Sequence, residues 1–198
     1  MYSVRIHGRG GQGVVTAAEL LSVAAHAGGR YAQAFPSFGS ERTGAPVMAF
    51  CRVDDRPIRL REPVLTPDAL VVQDPTLLRA PGVFTGLAPD GSVVVNAAVA
   101  RERLPLPPAV AALDREHLVV LPATALALSH IGRPVPNVAL LGALAALTGL
   151  VPFEAMAAAI RERFPGKVAE GNVAAAHAAF DLVRQALPAG AGRERSDD

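Results

Sequence analysis

Four glycines in six residues, Gly8-Arg9-Gly10-Gly11-Gln12-Gly13, constrain this chain more than any other stretch. The run joins a short β-branched segment, Tyr2–Ile6, to an apolar helical one, Val14–Ala27. Glycine lets the backbone turn sharply and enter positive φ, where a side chain would clash. It also leaves the amide N–H groups uncovered. Those groups sit at the positive end of the helix that follows, so the turn is a candidate anion cradle. Val15, Ala18, Leu20, Leu21 and Ala25 fall near the spacing of one buried face, and Gly28-Gly29 ends the helix. Tyr31–Ala34 reads as a second strand, which makes the opening a βαβ pattern.

The same alternation continues. Val47–Val53 is apolar and β-rich, as in a strand buried on both faces, and Ile58–Leu60 reads as a returning hairpin strand. Asp68–Pro75 is a strand entering a turn, with a helical turn at Leu77–Arg79. Ser92–Asn96 and Leu118–Leu121 are further strands, while residues 100–116 read as connector and surface. Helices follow at Ala123–Ile131, at Val138–Leu147 capped by Asn137, at Phe153–Phe164 after Pro152, and at Asn172–Leu187. The expected architecture is α/β: a Rossmann-like three-layer α/β/α sandwich with a mostly parallel sheet and a helical C-terminal portion. One domain spans 1–187, and a Gly-, Arg- and Asp-rich tail, 188–198, is expected to be disordered.

What the turn lacks argues against two functions. A dinucleotide site of the usual kind needs an acidic residue about 20 positions on, to hold the ribose. No Asp or Glu occurs between Glu19 and Glu41. An NTPase P-loop needs Lys followed by Ser or Thr, which the turn does not have. Two readings remain side by side: amides that bind a phosphate or carboxylate, and a structural turn in which glycines permit close packing while Gln12 bonds to neighbouring backbone. A second loop, Phe35 to Pro46, carries Glu41-Arg42, either an ion pair or a functional pair. The net charge of +1 gives no case for nucleic acid or an anionic membrane. The apolar run Val138–Phe153 is too short to span a bilayer, and no signal segment opens the chain, so a cytoplasmic location is expected. Cys51, the single cysteine, cannot hold an iron–sulfur cluster, and the five histidines show no metal-ligand spacing.

The two loops together resemble the γ subunit of the 2-oxoacid:ferredoxin oxidoreductases, of which pyruvate:ferredoxin oxidoreductase is the best known. The residues that carry the likeness are Gly8 to Ala17 and Phe35 to Val47. Asp68–Pro75, Leu121–Thr124, Pro136–Ala143, and Lys167 with Glu170 and Asn172 fit as well. Thr43 and Ala45 stand where the family more often has Arg or Gly. The resemblance implies a complex that decarboxylates a 2-oxoacid oxidatively to an acyl-coenzyme A, with α, β and δ subunits as partners and electrons leaving to ferredoxin. It places thiamine diphosphate, magnesium and the iron–sulfur clusters on the partner subunits. On this chain it implies a role in assembly and in holding coenzyme A, with Arg9, Gly10, Gly11, Gln12, Gly13, Glu41 and Arg42 as the residues concerned. The chain would have no catalytic residue of its own. Two other readings are a stand-alone nucleotide-binding enzyme and a purely structural assembly subunit.

Overall fold

The computed structural model describes residues 1–37 and 44–188. Its centre is a six-stranded sheet in the order β2-β3-β1-β4-β5-β6. The strands are β1 (Tyr2–Arg9), β2 (Tyr31–Pro36), β3 (Pro46–Asp54), β4 (Ala69–Val72), β5 (Ser92–Asn96) and β6 (Leu118–Leu121). β1, β4, β5 and β6 pair in parallel, and β3 runs antiparallel to both neighbours. The sheet is therefore mostly parallel, with β3 the one strand that opposes the rest. The opening β1–helix–β2 unit is a split one, because β3 inserts between its two strands. That position explains the unbroken burial of Ala49 to Val53, which lie inside the sheet rather than at its edge.

The helices are α1 (Val14–Ala27), α2 (Pro108–Ala111), α3 (Ala123–Ile131), α4 (Asn137–Thr148), α5 (Phe153–Arg163) and α6 (Gly166–Ala186). One face of the sheet carries α1, α4, α5 and α6 over a core built on Ile6, Leu20, Leu21, Leu140, Leu141, Leu144, Met156 and Ile160. Each such side chain contributes about 2 kcal/mol of burial. Every residue from Asn137 to Leu147 is buried, the pattern of a helix enclosed on all sides. Gly142 is required there, since an added Cβ would collide with the Ala176 carbonyl of α6. The opposite face is covered by thinner structure. A 3-10 turn at Pro75–Arg79, the segment around Val83 and the single turn of α2 pack over Leu70, Val72, Val93 and Val95.

Three expectations change. Ile58–Leu60 forms no strand, because no neighbouring edge is open to it: β3 already pairs with β1 and β2. Residues 100–116 contribute to the interior, with Val110 buried in the second core. The last helix begins at Gly166 rather than Asn172, because Gly171 tolerates the helix and packs tightly on the His130 carbonyl.

Candidate functional site

The carboxyl ends of β1, β4, β5 and β6 lie together at one end of the sheet. From β1 the chain moves toward β2 and β3, and from β4 it moves the other way. The β1/β4 boundary is thus the switch point where open α/β sheets hold ligands. The Gly8–Gly13 turn and the Asp74–Thr76 turn face each other across it. Its glycines serve distinct ends. Gly11 and Gly13 take positive φ, 95° and 72°. Gly8 allows the strand to approach the helix, since a Cβ there would sit 2.6 Å from Val14 Cγ2.

Gln12 holds the turn closed. Its Oε1 accepts from the Arg9 amide at 2.8 Å, and its Nε2 donates to Asp74 Oδ2 at 2.8 Å. Arg9 spans the gap: Nε and Nη2 donate to Thr76 Oγ1, and Nη1 donates to the Gly44 carbonyl at 3.0 Å. Asp74 in turn accepts from the Thr76 amide and hydroxyl. Burial alone would raise the Asp74 pKa. The hydrogen bonds from Thr76 and Gln12 and the Arg9 charge outweigh it, and the carboxyl stays below its usual range.

The two loops meet. The Gly10 amide donates to the Ala45 carbonyl at 2.9 Å, and the Gly44 amide donates back to the Gly10 carbonyl at 3.1 Å. Glu41 and Arg42, expected at this site, lie outside the described residues. Behind the turn, Gln73 is wholly buried, and neither end of its side-chain amide has a hydrogen-bond partner among the described residues.

Beside the turn lies a hollow of about 450 Å³. Gly11, Gly13 and Thr16 line one wall, at the N-terminus of α1; Asn137 lies at the N-terminus of α4, and Lys167 and Val168 at that of α6. Arg133, Arg163 and His130 complete the rim, and among the described residues no acidic side chain lines it. Arg133 and Lys167 form no ion pair among the described residues. Glu170, the nearest carboxylate in sequence, is held by Arg161 at 2.9 Å. The amides of Gly11 and Gly13 have no hydrogen-bond partner among the described residues. Asn137 stands one residue inside α4 rather than capping it, and its Nδ2 donates to the Gly13 carbonyl. Asn172 is also buried in the lining and donates once, to the Val168 carbonyl. Each of these side-chain amides carries a second N–H. Chemically the hollow suits a polyanion: it combines helix N-termini and cations without a competing carboxylate among the described residues. Reading along the chain misses it, because its parts lie in three segments, 11–16, 130–137 and 163–172, that only the fold assembles. One signal was present: Lys167 is the only lysine in the chain.

Cys51 is fully buried, and burial pushes its thiol up to about 12, which makes it a poor ligand and nucleophile. Two histidines pair locally, His117 with Asp114 and His177 with Asp181. Among the described residues no three His, Cys, Asp or Glu side chains cluster as a metal would need. No helix among them is long and apolar enough to cross a membrane.

Residues 3–182 match the family described as pyruvate ferredoxin/flavodoxin oxidoreductase. The chain belongs to that family. A relative from Pyrococcus abyssi, the pyruvate/ketoisovalerate oxidoreductases common subunit gamma, is 46% identical over 186 residues, covering 93% of this chain and 98% of its own. The pyruvate synthase subunit PorC of Methanothermobacter marburgensis is 45% identical over 184 residues, covering 93% and 98%. Among solved structures, the pyruvate oxidoreductase subunit PORC of Thermotoga maritima matches with a TM-score of 0.76 and 37% identity, over 91% of this chain and 95% of that one. The 2-oxoglutarate:ferredoxin oxidoreductase of Magnetococcus marinus, solved with 2-oxoglutarate, coenzyme A and succinyl-CoA bound, contains the same fold in 31% of its chain, at 18% identity and a TM-score of 0.69. This member of the pyruvate ferredoxin/flavodoxin oxidoreductase family is a γ-type subunit, and the activity it serves belongs to the assembled oxidoreductase.

Proposed function

We propose that this γ subunit holds the phosphate end of coenzyme A for a 2-oxoacid:ferredoxin oxidoreductase, and that its paired loops shape the channel beside the thiamine-bearing subunits. The observation that carries this is the hollow beside the Gly-rich turn. Among the described residues it offers unpartnered amides at Gly11 and Gly13, three cationic side chains and no carboxylate. Coenzyme A brings a diphosphate and a 3′-phosphate, whose charges suit such a site. Arg9 and Gln12 act by position: they hold the first turn against Thr76, Asp74 and the second loop. Gly10 holds the second loop through its hydrogen bonds to Gly44 and Ala45. The acyl transfer and the electron path lie on the α, β and δ partners, with ferredoxin as acceptor, in a cytoplasmic complex. The single buried thiol of this chain offers no ligand set for a cluster.

The test is calorimetric titration of coenzyme A into the assembled complex carrying Gly11→Val. An added side chain at Gly11 meets open space, so it blocks the amide wall without a packing clash, at the cost of backbone strain from the positive φ. Affinity is expected to fall about tenfold or more, the loss of one or two anion contacts. Unchanged affinity in a normally assembled complex removes the proposal. A second reading, a purely docking role, is favoured by the in-chain use of Arg9 and Gln12. Under it the variant fails to assemble.

A further inference from the structure

On the other face of the sheet, away from the basic hollow, lies a separate cavity of about 530 Å³. Its walls are mostly apolar, with Pro46, Met48, Leu77, Pro81 and Val83 among them, and His7 and Ser37 are its polar side chains. His7 pairs with Met48 in the sheet register and is only 4% exposed. Its Nε2 lies 3.1 Å from Arg5 Nε. A guanidinium can only donate, so Nε2 must accept. Burial, with the Arg5 charge, pushes the imidazole down to about 4, so the ring is neutral near pH 7. A neutral ring that accepts at Nε2 carries its proton on Nδ1. Nδ1 has no partner among the described residues.

Arg5 makes this donor stronger. It is buried, and it donates to the carbonyls of Val64, Val83 and Thr85 as well as to His7. Every one of those partners is uncharged, so among the described residues the guanidinium has no carboxylate to balance it. Its positive field is passed through Nε2 to the Nδ1 proton, and chained hydrogen bonds polarise one another. The volume lies in the range of small-molecule sites, which are mostly apolar with a few placed polar groups.

We infer that this cavity is a second binding site, for an acceptor oxygen carried on an apolar chain, with the Nδ1–H of His7 as the group that recognises it. Aliphatic carboxylates and amides share that chemistry. A cation is rejected, because the floor of the site presents a donor backed by a fixed positive charge. The site is distinct from the coenzyme A reading and does not depend on it.

Saturation-transfer NMR on the assembled complex tests the inference, with hexanoate, hexanamide and hexylammonium as probes. Each is compared between the unaltered complex and one carrying Met48→Trp, which fills the cavity from its half-exposed rim. His7→Phe, which keeps the ring and removes the donor, is the second variant. Hexanoate and hexanamide should show saturable contacts that weaken about tenfold in both variants. Stronger binding of hexanoate than of hexanamide assigns the site to carboxylates through the Arg5 charge, and equal binding assigns it to neutral carbonyls. Equal binding of hexylammonium overturns the inference, as does hexanoate binding that neither variant changes. Loss of assembly with Met48→Trp, together with unchanged hexanoate binding in the His7→Phe complex, also overturns it and marks the cavity as a subunit contact.

Discussion

The Nδ2 amide of Asn137 donates to the main-chain oxygen of Gly13 at 3.2 Å, and so ties the first turns of α4 and α1 together across 124 positions of sequence. The link needs a glycine. Gly13 holds a φ of 72°, and a Cβ there would collide with the Asn137 amide. Gly13→Ala is therefore expected to cost about 3 kcal/mol, from backbone strain together with the lost link. Gly11→Ala faces strain alone, since its Cβ would meet nothing, and should cost about 1 kcal/mol. Urea denaturation of the two variants checks the ordering. Equal losses would mean that the Asn137 contact contributes little.

The buried Gln73 amide predicts a gain. Among the described residues neither of its side-chain polar atoms has a partner, which leaves the desolvation of both uncompensated. Gln73→Leu keeps the volume and removes the polar atoms. Stability should rise by about 1 kcal/mol, read as a higher melting temperature. A fall would show that the amide is bonded in solution.

His7 sets a pH dependence. The unfolded chain takes up this proton near 6.5 and the folded chain only near 4, because burial first and the Arg5 charge second oppose the charged ring. The contribution is complete above pH 6.5 and shrinks as pH falls through that window. By pH 4 it removes about 3 kcal/mol. Chemical denaturation of the unaltered chain and of His7→Phe across pH 4 to 7 measures it. The variant should lose less stability over the range.

Asp74 acts at lower pH. Its folded pKa lies below the unfolded value, so its support for the turn is present at neutral pH and lost as pH falls through the lowered pKa. Hydrogen exchange at the Thr76 amide, which bonds to the carboxylate, should quicken in acid before the sheet amides do. Asp74→Asn should show the quickened exchange already at pH 7. Equal protection in both proteins would remove this role.

Much of the fold is legible along the chain. Val14–Ala27, Ser92–Asn96, Leu118–Leu121 and Ala123–Ile131 form where local pattern puts them, because the pattern there is strong and bounded by Gly or Pro. The α/β class follows from the same alternation. What local pattern does not carry is pairing. The insertion of β3 between β1 and β2 depends on which apolar runs find each other, and Ile58–Leu60 fails as a hairpin strand because both sides of β3 are already taken. The site divides in the same way. The Gly-rich turn and the use of Gln12 on neighbouring backbone are readable, since both act within a few residues. Asn137, Arg133 and Lys167 are not, because what they face is decided by helix packing rather than by spacing.

The most direct measurement is the dissociation constant of coenzyme A for the assembled complex, with and without Arg133→Ala together with Lys167→Ala in this subunit. Both side chains stand exposed on the rim of the hollow, so their removal should leave the fold intact. A weakening of about tenfold to a hundredfold, in a complex that still assembles, is the result the account predicts. An unchanged constant would contradict it.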